Sequence, residues 1–314
     1  MQVVAAEFRQ RGGRVAEPRA AADEELARVH EPDYLTLVRE TAGRAVSLDP
    51  DTFTSPDTYD VARLAAGAAL TGVDLVLDGE PGTRAFGLVR PPGHHAERSR
   101  AMGFCVFNNV AVAAAHARAR GVARVAIVDY DVHHGNGSQW MFYRDPNVLF
   151  VSSHQFPYYP GTGAADEVGS DAGAGFTVNL PLAAGATDAD YEKVYGTIAW
   201  PIVRAYQPEL IILSAGFDAY QDDPLAGMRL TASAFGRLTA SLVSIADECC
   251  NGHIVAMTEG GYDLKGLADC LRAAIGALDG EEAPPGAAAT DEPTPRADTT
   301  IKAVTPYLAK YWRI

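Results

Sequence analysis

The sequence predicts an α/β fold, a parallel sheet covered by helices on both faces, on three grounds. Five short apolar runs, rich in Val, Ile and Leu, show little alternation, as strands buried on both sides should. Longer stretches with helical caps lie between them. The unusual polar clusters all follow the apolar runs, where open α/β sheets place their sites. With 314 residues and 47% hydrophobic content, the chain can bury a substantial core as one domain, 1–314.

In chain order, Ser55 and Pro56 read as an N-cap and N1 pair opening a helix through "DTYDVARLAAGAAL". The first strand is Ala85–Val89. "NNVAVAAAHARARG" (Asn108–Gly121) is an Ala-rich helix ending on a C′ glycine. Two strands follow, Arg124–Tyr130 and Val148–His154. "TDADYEKVYGTIAWPIVRAY" is a helix capped by Thr187 or Asp188. The strand Glu209–Gly216, the helix Thr231–Cys250 and the strand His253–Gly260 complete the alternation. Asp279–Thr299, rich in Pro, Ala and acidic residues, reads as a mobile loop, and Ile301–Ile314 as a terminal helix that packs back.

No uninterrupted apolar run reaches the ~18 residues of a membrane span. The N-terminus lacks the apolar core of a secretory signal, so a soluble cytoplasmic protein is expected. The net charge of −14 disfavours direct nucleic-acid binding. Cys105, Cys249, Cys250 and Cys270 form no CxxC pair and read as reduced core thiols.

The strand ends carry the chemistry. "AFGLV" runs into "RPPGHHAE", "RVAIVDY" into "DVHHGNG", "VLFVSSH" into "QFPYYPGTG", "ELIILSAG" into "FDAYQDDPLAG", and "HIVAMTEG" into "GYDL". Asp131, His133 and Asp218 are two carboxylates and an imidazole, a set that suits a divalent metal such as zinc. D-x-H spacing puts both side chains on one side of an extended segment. Alone that pattern is common and more often structural. His94 and His95 alone would be packing, but beside a metal they read as acid–base groups. Tyr262 follows Gly260 and Gly261, so its hydroxyl can approach a developing oxyanion. His116 is expected at the surface, and His30 and His253 lack clustered partners. No G-x-S-x-G elbow, P-loop or strand-linked GxGxxG is present.

"RPPGHHA", "GFCVFNN", "VDYDVHHGNG", "SSHQFPYYPGTG", "SAGFDAYQDDPL" and "EGGYD" together resemble the histone deacetylase superfamily. The likeness is greatest to its bacterial members, the second eukaryotic class and the acetylpolyamine amidohydrolases. It runs in order from about Val29 to Leu278. It implies the three-layer α/β/α arginase/deacetylase fold with a mainly parallel eight-stranded sheet. It implies a hydrolase that removes acetyl groups from acetyl-lysine or acetylated small amines, with zinc (or ferrous iron) as cofactor and a structural potassium. By the resemblance, Asp131, His133 and Asp218 are the zinc ligands. His94, oriented by Asp129, and His95, oriented by Asn136, serve the water, and Tyr262 binds the substrate carbonyl. Gly103, Phe104 and Tyr159 line the acyl channel, with Gly260 and Gly261 beside it and Leu225 at its rim. Asp129, Asp131, His133, Ser152 and Ser153 surround the potassium, partly through carbonyls. A homo-oligomer is compatible with all of this.

The chain departs from the pattern in four places. Asn136 stands where many relatives have an aspartate, and Tyr159 where a phenylalanine is usual. Relatives have a strand and a rim loop before the position of "EPRAAADEEL", close to this chain's start, and no long inserted loop of the dimeric polyamine enzymes is visible. Two rival readings are a two-manganese ureohydrolase and a non-catalytic acyl-lysine reader. The first needs aspartates where this chain has Gly135 and Tyr220. The second conflicts with a complete set of ligands, histidines and tyrosine.

Overall fold

The computed structural model describes residues 1–282 and 293–314. Its main sheet has six strands among the described residues, not eight: β3 (Arg84–Gly87), β4 (Val125–Asp129), β5 (Val148–Gln155), β6 (Thr177–Leu182), β7 (Leu210–Ala215) and β8 (Ile254–Thr258). Their order is β3-β8-β7-β4-β5-β6, and every pairing is parallel. A separate antiparallel pair, β1 (Ser47–Asp49) and β2 (Thr52–Phe53), stands apart. Five of the six main strands match the apolar runs. The sixth, β6, carries Asn179 and Pro181, which weaken a strand signal; as an edge strand it tolerates the proline.

Each strand alternates its buried side chains between two cores. Val125, Ile127, Val148, Phe150, Ile212 and Val255 pack under α4 (Thr58–Leu77) and α5 (Asn109–Ala119). Ala126, Val128, Leu149, Val151, Leu213 and Ala256 pack on the opposite face. That face is covered by α7 (Asp188–Val194), α8 (Trp200–Tyr206), α9 (Ala232–Cys249), α10 (Leu264–Leu278) and α11 (Pro295–Leu308). Three layers result, as expected. A third cluster joins α4 and α5 to α2 (Asp23–Leu26) and α3 (Pro32–Arg39).

Several boundaries differ from the sequence reading. The α4 cap is Asp57, and Ser55, three residues before the helix starts at Thr58, turns its N–H onto Thr58 Oγ1 at 2.7 Å. The 187–206 helix holds a π turn at Tyr195–Ala199 just before Pro201, whose nitrogen cannot donate. The expected loop Asp279–Thr299 lies partly outside the described residues, and its end belongs to α11. That helix starts six residues before Ile301 because Ala297 is fully buried and its N–H meets Asp190 Oδ1 at 2.9 Å. Ahead of "EPRAAADEEL" stands a helix, α1 (Gln2–Gln10), with Val4 in the core and Glu7 paired to Arg272. No helix among the described residues is long and apolar enough to cross a membrane. All four cysteines are free, and Cys105, Cys250 and Cys270 are buried.

Strands β4, β5 and β6 run outward in one direction, and β7 and β8 return on the other side of β4. The switch therefore falls between β4 and β7, where the fold opens a crevice at the carboxyl ends of the strands.

Candidate active site

At that crevice the chain after β4 folds on its own carboxylates. Asp129 Oδ1 accepts the Asp131 N–H at 3.0 Å, and Asp131 Oδ1 accepts the His133 N–H at 2.9 Å. Asp218, just past β7, accepts the Val132 N–H at 2.9 Å. One donor atom from each of Asp131, His133 and Asp218 lies within 4.8 Å of the others. His133 Nδ1 stands 3.2 Å from Asp131 and 3.1 Å from Asp218. A Cβ on Gly216 would fall 1.9 Å from Asp131 Oδ2, and one on Gly260 would fall 2.0 Å from Asp218 Oδ2. Two glycines thus keep space for two buried carboxylates. Burial and the Asp131 charge raise Asp218 to about 6. Burial opposes a charge on His133, but hydrogen bonds to Asp131 and Asp218 raise it to about 11. A proton on His133 and a cation among the three groups answer the same excess of negative charge. Mixed carboxylate and imidazole donors, buried and facing each other, fit zinc or ferrous iron.

The histidine pair arrives on the loop after β3. His94 Nδ1 donates to Asp129 Oδ2 at 2.9 Å. Burial opposes its charge, but Asp129 and Asp131 raise it to about 10. His95 Nδ1 meets Asn136 Oδ1 at 2.8 Å, and Asn136 Nδ2 donates to Glu97 Oε1 at 2.7 Å. The negative charge that an aspartate would place on His95 therefore sits one hydrogen bond further away. Burial first, then His94 and His133, holds His95 well below the ordinary histidine range. Tyr262 stands on the turn after β8, and burial, then the nearby carboxylates, keeps its hydroxyl protonated.

These loops are tied by groups that the sequence reading passed over. Glu259, fully buried at the end of β8, accepts the Gly93 N–H at 2.6 Å and the His94 N–H at 3.2 Å. Arg90 donates to the Glu259 carbonyl at 2.9 Å and to the Gly261 carbonyl at 3.4 Å. Asn108 caps α5 through Ala111 N–H while its amide reaches the Ala96 carbonyl at 3.2 Å. His30 is buried, not isolated: its ring joins the Glu97 carbonyl to the Asn108 N–H, each at 3.0 Å. A glutamate ending an apolar strand was the available signal for Glu259. His116 is also buried rather than surface, between Arg28 and Asp74.

His94, His95, Asp131, His133, Tyr262 and Gly260 all line one cleft of about 180 Å³. Gly103, Phe104, Tyr159 and Leu225 line it too, together with Asp51, Pro92 and Tyr158. Phe104 adopts φ +66° and faces Tyr262 at 5.9 Å between ring centroids. Gly103 lies against the His95 ring, where a Cβ would approach to 2.3 Å. The β1–β2 hairpin holds this wall, as Asp51 and Thr52 accept the N–H groups of Gly103 and Phe104, each at 3.1 Å. Tyr159 packs edge-on to His95, and Tyr158, which the sequence reading missed, stacks on His133. Gly261, at φ +125°, shapes the Tyr262 turn. Asp129, Asn136 and Asp218 lie buried behind these walls. Ser152 and Ser153 are buried on neighbouring β5, with Ser152 in register with Asp129 and Ser153 bonded to Tyr195 at 2.7 Å.

Comparison with known proteins agrees with this geometry. The histone deacetylase domain matches residues 2–278. The chain is 43% identical over 281 residues to the polyamine deacetylase HDAC10 of Homo sapiens, covering 85% of this chain and 41% of that protein. It is 43% identical over 266 residues to a histone deacetylase-like amidohydrolase of Pseudomonas aeruginosa, covering 83% and 69%. The crystal structure of the HDA15 HD domain superposes with a TM-score of 0.91 at 36% identity, over 99% of this chain and 86% of that one. The chain spans less than half the length of the human relative. Sheet order, buried ligand set, histidine pair and these matches lead to one conclusion: the chain belongs to the histone deacetylase family.

Proposed function

We propose that this protein is a zinc-dependent amidohydrolase that removes acetyl groups from acetyl-lysine side chains or acetylated small amines. The observation that carries this reading is the convergence of Asp131, His133, His94, His95 and Tyr262 on the floor of one narrow cleft, with Asp218 completing the donor set behind it. Asp131, His133 and Asp218 would hold the cation, which when bound would polarise the amide carbonyl and acidify a water. Ferrous iron suits the same donors. His95, neutral at pH 7, accepts a proton at Nε2 from the water that attacks the carbonyl carbon, and returns it to the amine nitrogen as the C–N bond breaks and acetate leaves. Asn136 and Glu97 fix its tautomer through Nδ1. Asp129 holds His94 in place, and Tyr262 donates to the carbonyl oxygen as negative charge develops there. Phe104 and Tyr159 flank a slender acyl-amine arm, with Leu225 at the mouth. Hard oxygens of Asp129, Asp131, His133, Ser152 and Ser153 form the potassium site of this reading. The chain acts as one domain in the cytoplasm.

A second substrate class, acetylated polyamines, is favoured by the Asp51 carboxylate in the cleft wall and by the name of the human relative. The test is acetate release by the zinc-loaded protein from an acetyl-lysine peptide and from N-acetylputrescine, measured side by side. Turnover of either establishes the amidohydrolase, and the faster one identifies the substrate class. Full metal content with no turnover of any acyl-amine would overturn the reading in favour of a binding protein.

A further inference from the structure

On the α5 and α6 (Asn136–Phe142) side of the molecule, away from the cleft above, lies an open cavity of about 550 Å³. Arg28, Arg98, Arg118 and Arg144 line it, with Asp145 as the only carboxylate. Such a concentration of cations is unexpected in a chain of net charge −14. Gathering like charges raises the energy unless a counter-charge joins them. Three of the four arginines are not consumed by the fold. Arg118 donates to the carbonyls of Val122 and Ala123, which accounts for it as a helix-end cap. Arg28 reaches only the His116 ring, at 3.0 Å. Arg144 has one exposed pair with Asp171, at 3.2 Å, a geometry that contributes little. Arg98 has no side-chain partner among the described residues. Met141 and Phe142 give the cavity an apolar floor.

We propose that this cavity is a binding site for an organic di- or triphosphate. Its volume is that of a small-ligand site. Guanidinium forks match phosphoryl oxygens bidentately, and four arginines against one aspartate match the charge of two or three phosphoryl groups. The apolar floor takes the organic part. The overall acidity disfavours a nucleic-acid backbone, much of whose length would be repelled.

The test is calorimetric titration of the full chain with ADP, adenosine, orthophosphate and citrate at fixed ionic strength near 0.15 M. ADP should bind saturably, one to one, and adenosine should not bind. An Arg98→Glu, Arg144→Glu double variant should bind ADP at least about tenfold more weakly, with unchanged circular dichroism and acetate release. Both side chains are exposed and outside the cleft, so folding and turnover serve as controls. No saturable ADP binding, citrate binding as tight as ADP, or equal ADP affinity in the double variant would each overturn the proposal. The last outcome would place any bound ADP elsewhere on the molecule.

Discussion

At the ends of β4 and β7, the groups that would hold a cation leave directly from the strand termini and bond one another. At the ends of β3 and β8, His94, His95 and Tyr262 ride on glycine-containing loops, held by Arg90, Glu259 and Asn108. The first region is positioned by the sheet itself. The second is positioned by buried polar partners that tie its loops together. Damage at the two ends should therefore differ in kind: loss of metal at one, loss of alignment with metal retained at the other.

The largest effect expected is from Asp218→Ala, which removes a donor and leaves Asp131 and His133 unable to hold the ion. Activity should fall on the order of a thousandfold or more. Elemental analysis should find the metal gone, and full occupancy would remove Asp218 from the donor set. Next, Tyr262→Phe should lower kcat by about 10²- to 10³-fold with metal content unchanged. An unaltered kcat would show that the hydroxyl does not meet the carbonyl oxygen.

Glu259→Ala tests the brace itself. It leaves the buried N–H groups of Gly93 and His94 unpaired, at a cost of about 1–3 kcal/mol each at most. We expect kcat to drop roughly tenfold with metal retained and KM little changed, and Glu259→Gln, which keeps one acceptor, to recover most of it. If alanine and glutamine behave alike, the hydrogen bonds are not what aligns the histidines.

The smallest effect concerns His30, which supports Glu97 from below. Burial, opposed only in part by its backbone bonds, lowers it from 6.5 to about 4. Its folded value is depressed, so the unfolded chain binds the proton more readily. Stability is full above pH 6.5 and is lost as pH falls through that value towards 4, by up to about 3 kcal/mol. His30→Gln should flatten denaturation midpoints across that window, and an unchanged slope would assign the acid sensitivity elsewhere.

The same contrast explains what was readable in the sequence. Five strands were visible because each is a run of residues buried on both faces, and Asp131 with His133 was visible because their spacing survives without context. β6 was hidden by Asn179 and Pro181, and the eight-strand expectation came from family likeness rather than from apolar runs in this chain. Arg90 and His30 were not legible, since their partners are backbone groups up to 171 positions away. For Glu259 the apolar strand before it signals burial, but nothing local marks the residue 166 positions earlier whose N–H it accepts. Tyr158 was passed over because either of two adjacent tyrosines could face the cleft, and only the fold shows that both do.

Gly216 and Gly260 carry one further consequence. Their Cα atoms press so closely on Asp131 and Asp218 that an added methyl group would overlap the carboxylates. The same absence of room acts on the acids themselves. Asp131→Glu or Asp218→Glu would keep the charge but push a longer acid against the same close-packed backbone. The two glycines thus match these positions to the shorter acid by volume as well as by chemistry.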